Sequence, residues 1–241
     1  MNPSSPQPDQ TNMLWNDDTA KDAVYEVPDD IVDVNFKIKC AQLPLDHAHQ
    51  LSQAIIKQLP WIEESDNVGI HLIHGAESGN GWIRPTDPDE LIFPSRRTLF
   101  TIRTPQEHVE DVRALDGTSI DVCDASIEFS KPTIRKLSKL TTIYARYVLA
   151  EQISDETGFL NEMVELLAQK DIKPKKMMSG RMTTMRFPGK TLSARSLMID
   201  GIDITESVLL QQQGLGTGRK FGCGLFLPHK GIDAVNETQE K

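Results

Sequence analysis

The chain has 241 residues, of which 38% are hydrophobic and 25% are charged, and its formal net charge at pH 7 is −9. This length and composition predict a folded protein of one large or two small domains and exclude a chain that is disordered throughout. No stretch approaches the roughly 20 apolar residues of a membrane span, and from the polar N-terminus we do not expect a signal peptide. Three cysteines without CxxC spacing indicate a reducing compartment, so we expect a cytoplasmic protein without a zinc knuckle.

The net charge hides an uneven distribution. Residues 1–130 carry 9 Lys or Arg against 23 Asp or Glu, whereas residues 131–241 carry 17 against 12. Residues 170–199 contain eight basic side chains and one acidic side chain. Because like charges repel one another, this basic segment favours contact with an anionic partner, with a solvated basic face as the alternative. Residues 1–30 are acidic and rich in Pro, Ser and Asn, which predicts a flexible N-terminal extension.

The first half predicts the element order β-α-β-β-α-β. Segments of alternating or β-branched residues, which are typical of strands, occur at 32–40, 68–73, 99–103 and 119–129. Asp46 is the expected N-cap of the first helix, which ends before Pro60. A capping box at 104–107 predicts the second helix.

The second half repeats this order. Its strand-like segments are 141–149, 182–187, 192–199 and 221–227. A helical apolar stripe runs through 159–167, and a second capping box at 203–206 precedes another helix. Two βαββαβ units predict an α+β fold of tandem ferredoxin-like domains with antiparallel sheets. We place these domains at residues 31–135 and 136–232, followed by a short tail at 233–241.

The most distinctive local feature is the glycine-rich segment 214–224. It contains Gly214, Gly216, Gly218, Gly222 and Gly224 around Arg219 and Lys220. Glycines let the backbone approach a ligand closely, and a long glycine hairpin is the purely structural alternative. A dinucleotide-binding GxGxxG motif would require glycine at position 219, and a Walker A motif ending at Thr191 would require glycine at position 184, which is a threonine.

This segment closely resembles the C-terminal glycine-rich loop of the RAMP superfamily, specifically that of the CRISPR-associated endoribonuclease that processes CRISPR RNA precursors. The resemblance extends through 206–211 and 222–228, and residues 43–47 (Leu-Pro-Leu-Asp-His) are similar to the family's catalytic-histidine segment. The match runs in order from about residue 32 to about residue 230.

The resemblance implies metal-independent cleavage of CRISPR repeat RNA, without a cofactor. In that family the 2′-hydroxyl attacks the scissile phosphate and leaves a 2′,3′-cyclic phosphate and a 5′-hydroxyl. The mature guide RNA is retained by many members, which implies subunits of a CRISPR effector complex as further partners. No membrane partner is expected.

The chemistry needs a base, an acid and cations, and the chain offers six histidines. His47 is the first candidate for the base, because a helix N-terminus beside Asp46 would disfavour its protonated form and could hold a phosphate. The resemblance points to the same residue. His49 lies about 200° further around the helix and is the second catalytic candidate, as an alternative base, an acid or a stacking group. The carboxylates show no paired spacing that would demand Mg²⁺, so no metal ligands are predicted.

The cations that would hold the RNA backbone are predicted in the second half, with ion pairing to surface acids as the alternative for each. They are Arg219 and Lys220 in the glycine-rich segment, and Lys176, Arg181, Lys190 and Arg195 before it. The candidate stacking residues are Trp82, Tyr144 and Tyr147, with a place in the core as the alternative. His71 is expected near the site, and a structural or solvated role is expected for His74 and His108.

Two alternative functions stay open from the sequence. One is a non-catalytic RAMP-fold RNA-binding subunit of a CRISPR effector complex. The other is an enzyme that binds a nucleotide or a phosphate-bearing metabolite through the glycine-rich segment.

Overall fold

The computed structural model describes residues 25–75, 90–150 and 155–229. Most of the predicted N-terminal extension, Trp82 and the predicted tail lie outside the described residues. Two antiparallel sheets organise the described chain. The strands of the first sheet lie between residues 31 and 135, and those of the second between residues 143 and 228. None of the described helices is long and apolar enough to cross a bilayer.

The first sheet has the ferredoxin-like strand order. The strands of this half are β1 (Ile31–Lys39), β2 (Leu43–Pro44), β3 (Gly69–Ile70), β4 (Leu91–Ile92), β5 (Leu99–Pro105), β6 (Ser119–Val122) and β7 (Ala125–Arg135). Its two helices are α1 (Ala48–Gln58) and α2 (Val109–Arg113). The sheet order is β3-β5-β1-β7-β6, while β2 and β4 form a separate two-stranded pair.

The core of this half lies between the sheet and its helices. Phe36, Phe100 and Phe129 come from three adjacent strands, and their ring centroids lie 5.2 to 6.4 Å apart. Leu51 and Ile55 of α1 are fully buried in the same apolar cluster. Removing each of these side chains from water contributes about 1.5–3 kcal/mol, so this packing anchors α1 to the sheet.

The second sheet repeats the arrangement. Its strands are β8 (Ile143–Leu149), β9 (Lys176–Phe187), β10 (Lys190–Asp200) and β11 (Phe226–Pro228), in the order β11-β8-β10-β9. The helices are α3 (Glu156–Ala168) and α4 (Ile204–Gln213). The predicted capping box is present in α4, where Asp203 and Glu206 each accept a hydrogen bond from the other's main-chain N–H. The predicted tandem ferredoxin-like fold is confirmed.

A buried arginine joins the two halves. Arg103 on β5 has no exposed surface, and its guanidinium forms a bidentate ion pair with Asp33 on β1 at 2.7 and 3.0 Å. The same guanidinium donates hydrogen bonds to the carbonyl oxygens of Gln211 in α4 and Phe226 in β11. One side chain of the first sheet therefore holds two elements of the second half.

Three local predictions were wrong. The capping box predicted at 104–107 does not form, because β5 continues to Pro105 through pairing with Ile31 of β1. The single strand predicted at 119–129 is a hairpin, β6–β7, which turns at Cys123 with a positive φ of 54°. The last strand starts at Phe226 rather than 221, because residues 219–221 form a 3₁₀ turn.

Candidate functional site

The helix that carries the predicted catalytic histidines does not begin as expected. Its N-cap residue is His47 rather than Asp46, and no side chain caps it. The carboxylate of Asp46 instead accepts hydrogen bonds from the main-chain N–H of Arg186 at 2.9 Å and from its Nε at 3.1 Å. Asp46 therefore ties the start of α1 to β9 of the second half, so the prediction of an Asp46 N-cap was wrong.

His47 is enclosed by the first half. Its side chain is 1% exposed, Nδ1 donates to the carbonyl oxygen of Pro44 at 2.7 Å, and Nε2 accepts from the N–H of Ile73 at 3.2 Å. Burial lowers the pKa of His47, although its hydrogen bonds to main-chain carbonyls act in the opposite direction. The ring is thus neutral at physiological pH, as the sequence predicts, but both nitrogens are occupied by the protein itself. This conformation leaves His47 no nitrogen for an RNA hydroxyl.

His49 faces the second half. Its half-buried ring contacts Phe187 at the end of β9 edge to face, with a centroid distance of 5.8 Å, and it contacts Phe221 at 6.3 Å. These two phenylalanines also contact each other, at 4.8 Å. Nδ1 of His49 is fully buried and has no hydrogen-bond partner among the described residues. The two histidines therefore point in different directions, as their spacing predicts, and His49 is the one at the junction of the halves.

A second histidine, for which the sequence predicts a structural or solvated role, borders the same junction. His74 follows β3, and its half-buried ring is stacked on Tyr147 of β8 with centroids 6.3 Å apart and an interplanar angle of 27°. Tyr147 packs on the same buried apolar cluster as Phe187 and Phe221. We refer to these three aromatic residues, with the buried Ala48, Met185, Ala194 and Cys223 between them, as the junction cluster. The sequence does not predict this contact, because the contact joins residues that are far apart in the chain.

His71 lies in a buried polar group rather than at the junction cluster. Its Nε2 is buried and has no hydrogen-bond partner among the described residues. Burial, with the nearby charges of Arg103 and Arg219, lowers the pKa of His71 to about 3. Burial alone would raise the pKa of Asp33, but the Arg103 guanidinium beside it holds that pKa below its usual value. His71 is therefore neutral at physiological pH and lies among charges that link the halves.

The glycine-rich segment folds against itself. Gly214 and Gly224 both have positive φ, at 71° and 67°, and the N–H of Leu215 donates to the carbonyl oxygen of Gly224 at 3.1 Å. A Cβ on Gly224 would lie 2.2 Å from the carbonyl oxygen of Leu215, so no larger residue fits there. The segment also packs closely on the first half, since a Cβ on Gly222 would lie 2.6 Å from Leu72 Cγ. These glycines serve the shape of the loop and its contact with the first half.

The two cations of this segment are turned inward. Arg219 is 9% exposed and donates to the carbonyl oxygens of Gln212 at 2.8 Å and Asn67 at 3.3 Å. Burial and the nearby Arg103 lower the pKa of Arg219 to about 10, so it stays charged. Lys220 is half-buried and donates to the carbonyl oxygen of Glu63. The structure thus gives Arg219 and Lys220 main-chain partners from both halves.

The remaining predicted cations lie on the β9–β10 hairpin. Lys176, Arg181 and Lys190 are exposed, whereas Arg195 is 9% exposed and donates from Nη1 to the carbonyl oxygen of Gly180 at 2.9 Å. Arg186, whose side chain is 47% exposed, adds a further positive charge next to Asp46. The hairpin therefore presents several cations to solvent and ends beside α1. Within the described parts of the chain, no three His, Cys, Asp or Glu side chains converge as metal ligands would.

Solved structures share this architecture. A structure from the characterisation of a Cas6-related gene of Pyrococcus furiosus superposes with a TM-score of 0.58 at 12% identity, covering 83% of this chain and 99% of the other. A structure described as a RAMP protein binding different RNA substrates also has a TM-score of 0.58, at 10% identity, covering 83% of this chain and all of the other. The fold is therefore that of the RAMP proteins.

Comparison with known sequences identifies the family as well as the fold. The family model described as Cas6 Crispr matches residues 32–231. The CRISPR-associated endonuclease Cas6 of Myxococcus xanthus (strain DK1622) is 27% identical over 197 residues, which cover 82% of this chain and 81% of that protein. The chain belongs to the Cas6 family, which confirms the resemblance seen in the glycine-rich segment.

Proposed function

We propose that this chain is a CRISPR RNA-processing endoribonuclease, which cleaves the repeats of precursor transcripts. Its family and the name of the M. xanthus endonuclease support this proposal. The observation that carries it is the meeting of His49 with Phe187 and Phe221. His49 is a candidate base from the first half, and it lies at the end of β9. The exposed cations of that strand suit contact with an RNA backbone.

The proposed reaction is an internal attack by the RNA. His49 takes the proton of the 2′-hydroxyl, the 2′-oxygen forms a bond to phosphorus, and the bond from phosphorus to the 5′-oxygen breaks. The products are a 2′,3′-cyclic phosphate and a 5′-hydroxyl. Because Nδ1 of His49 is buried, the substrate would meet Nε2. The proposed steps need no metal ion and no cofactor, since the bonds change within the RNA and protons move to and from side chains.

We assign His47 to positioning rather than to proton transfer. Its ring bridges Pro44, which precedes α1, and Ile73, which precedes His74. The bridge fixes the first turn of α1 relative to the segment after β3. The sequence ranked His47 ahead of His49, and the proposal reverses that order because the His47 ring is enclosed and fully hydrogen-bonded.

The RNA contact is assigned to the exposed cations of the β9–β10 hairpin. Neutralising a phosphate releases counterions, so each such contact makes the affinity more sensitive to salt. Arg181→Ala and Lys190→Ala should each weaken repeat binding and lower the slope of log Kd against log salt by about 0.7–0.9. Lys57→Ala removes an exposed cation at the far end of α1 and serves as the matched control. An equal effect of all three variants would contradict this assignment.

The test of the proposed function is a cleavage assay with RNA that carries a CRISPR repeat from the genome that encodes this chain. The chain should cut this RNA in EDTA at one position, and one product should end in a 2′,3′-cyclic phosphate. A single 2′-deoxy substitution at the cut site should abolish cleavage, because it removes the nucleophile. We also expect the product with the mature guide to stay bound, which a filter-binding assay of the reaction products measures. Cleavage that requires an added divalent ion, or that survives the 2′-deoxy substitution, contradicts the proposed mechanism.

One observation favours the alternative of a non-catalytic RNA-binding subunit. The histidine in the segment that resembles the family's catalytic segment, His47, is buried and has both ring nitrogens occupied. Under that alternative the chain would bind repeat RNA tightly and with strong salt dependence, yet cleave none of it. The cleavage assay separates the two functions, provided that binding is measured on the same preparation.

A further inference from the structure

We propose that His74 is the general acid of this reaction and that Tyr147 holds its ring in place. This inference rests on the proposed endoribonuclease function and identifies a group which that function requires. The departing 5′-oxygen carries negative charge as its bond to phosphorus breaks, and an acid that donates a proton to it accelerates the step. His74 and His49 lie against the junction cluster from two different segments of the first half.

The other histidines are poorly placed for this role. His47 is enclosed and its Nδ1 proton is committed to a main-chain carbonyl. His71 has a pKa of about 3, so it carries no proton to donate at neutral pH. His108 is stacked on Trp61 at a centroid distance of 3.9 Å, beside α2 and outside the junction cluster. The ring of His229 contacts Tyr144 near the start of β8.

His74 has a connection to the site that these histidines lack. Its ring is stacked on Tyr147, and Tyr147 packs on the cluster that also contains Phe187 and Phe221, the two contacts of His49. The face of an aromatic ring stabilises a nearby cation, so the stack suits an imidazolium, which is the form that an acid must have before it reacts. His74 is half-buried rather than enclosed as His47 is.

The proton balance of the full step is then complete. His49 accepts the proton of the 2′-hydroxyl, the bond between phosphorus and the 2′-oxygen forms, and the bond between phosphorus and the 5′-oxygen breaks. The proton of the His74 imidazolium passes to the 5′-oxygen, which leaves as a hydroxyl. A proton exchange with water returns both rings to their starting states.

The test uses a repeat RNA in which sulfur replaces the 5′-oxygen at the scissile bond. A thiolate leaves without protonation, so this substrate does not need the acid. On the normal RNA, His74→Ala should lower the single-turnover rate by about 10²–10⁴-fold. On the sulfur-containing RNA the same variant should cleave within about fivefold of the wild-type rate. His49→Ala should be slow on both substrates, because the base is still required.

The sulfur-containing substrate also shows that the variant is folded, since a misfolded protein would cleave neither RNA. His74→Gln, which keeps a polar side chain but carries no acidic proton, should behave as His74→Ala does. His229→Ala removes an exposed histidine outside the junction cluster and should cleave both RNAs normally. The inference is overturned if His74→Ala cleaves the normal RNA at the wild-type rate, or if it is equally slow on both RNAs. A wild-type chain that cleaves neither RNA would instead contradict the proposed function itself.

Discussion

Two histidines separated by one residue have opposite surroundings at the start of α1. His47 is held by main-chain groups of the first half, while His49 contacts two phenylalanines of the second half. Helical geometry turns neighbouring side chains by about 100° per residue, so a pair at this spacing cannot share one partner surface. The consequence is a division of roles, in which one ring fixes the helix and the other is available to a substrate.

Substitution of His47 by Gln and by Ala tests this division. Ala leaves the carbonyl of Pro44 and the N–H of Ile73 buried without partners, so we expect a loss of about 1–3 kcal/mol in the free energy of unfolding. Gln offers both a donor and an acceptor and should retain much of the stability and cleavage. Urea unfolding and single-turnover rates measure the two effects. Gln cannot take up a proton, so it cannot act as a base. A His47→Gln chain that folds but cleaves no faster than His49→Gln would therefore contradict the positioning role.

The lowered pKa of His71 predicts that the free energy of unfolding depends on pH. Its folded pKa of about 3 lies below the usual value of about 6.5 for an unfolded chain, so only the unfolded state binds a proton between these values. Stability should therefore fall as the pH decreases from about 6.5 towards 3, by at most about 1.4 kcal/mol per pH unit for this residue. The lowered pKa of His47 acts with the same sign.

The measurement is urea unfolding at pH 7.5, 6 and 5 for the wild type, His71→Leu and His229→Ala. Leu cannot bind a proton, and Nε2 of His71 has no hydrogen bond to lose among the described residues. The His71→Leu chain should therefore show a shallower fall in stability, whereas His229→Ala should follow the wild type. Parallel curves for all three chains would mean that His71 does not contribute.

At the level of elements, local signals in the sequence were reliable where local forces decide. The capping box of α4 forms as predicted because Asp203 and Glu206 satisfy each other's main-chain N–H groups without help from elsewhere. The box predicted at 104–107 fails because pairing with β1 extends β5 through the same residues. A non-local partner also explains Asp46, because its carboxylate accepts a hydrogen bond from Arg186 instead of capping its own helix. A local sequence motif cannot predict non-local partners of this kind.

The glycine-rich segment provides the element-scale prediction. Gly222 and Gly189 both have positive φ, at 78° and 74°, but only Gly222 lies against the first half. Gly189→Ala should cost about 1–2 kcal/mol for its conformation alone, because nothing lies within 4 Å of its added Cβ. Gly222→Ala adds a Cβ 2.6 Å from Leu72 Cγ, so its cost should exceed that of Gly189→Ala.

Urea unfolding compares the two glycine variants, and cleavage rates add a second comparison. Because Gly222 follows Phe221, which contacts His49, a shift of the loop should also slow cleavage in Gly222→Ala but not in Gly189→Ala. Equal stability and equal cleavage of the two variants would contradict the view that this segment positions the site through contact with the first half.

For the whole molecule, the junction between the halves depends on buried charge. Asp33 and Arg103 form the ion pair, and the arginine also reaches the second half through two main-chain carbonyls. Removing one member of a buried pair leaves the other charge without compensation, which costs about 3–5 kcal/mol. Arg103→Met should therefore be severely destabilised, and Asp33→Asn combined with Arg103→Met should lose less than the two single losses together. Additive losses in urea unfolding would show that the pair is not coupled.

The sequence was sufficient for the fold, and it named His49 and the hairpin cations of the proposed site among its candidates. Strand and helix periodicity predicts both βαββαβ units, because each sheet buries one apolar face. The glycine-rich segment and the segments that accompany it resemble those of the family, and the basic residues of the β9–β10 hairpin follow from composition. The sequence could not place His74 beside Tyr147 or turn Arg219 inward, because these contacts depend on how one unit packs against the other.

The overall acidity of the chain also has a structural meaning. The exposed cations Lys176, Arg181 and Lys190 lie along one hairpin, whose Phe187 end is next to the start of α1. The first 130 residues carry most of the acidic side chains. Attraction of RNA is therefore expected at the hairpin and repulsion elsewhere, which favours one bound register over binding along the whole surface.

The central claim is that His49, seated against the second half, removes the 2′-hydroxyl proton. The most direct measurement is single-turnover cleavage of repeat RNA in EDTA by the wild type and by His49→Ala, with the Kd of each measured on an uncleavable 2′-deoxy RNA. We expect the wild type to cut at one position, and His49→Ala to bind within about threefold of the wild type while it cuts at least about 100-fold more slowly. A His49→Ala chain that cleaves at the wild-type rate would contradict the account.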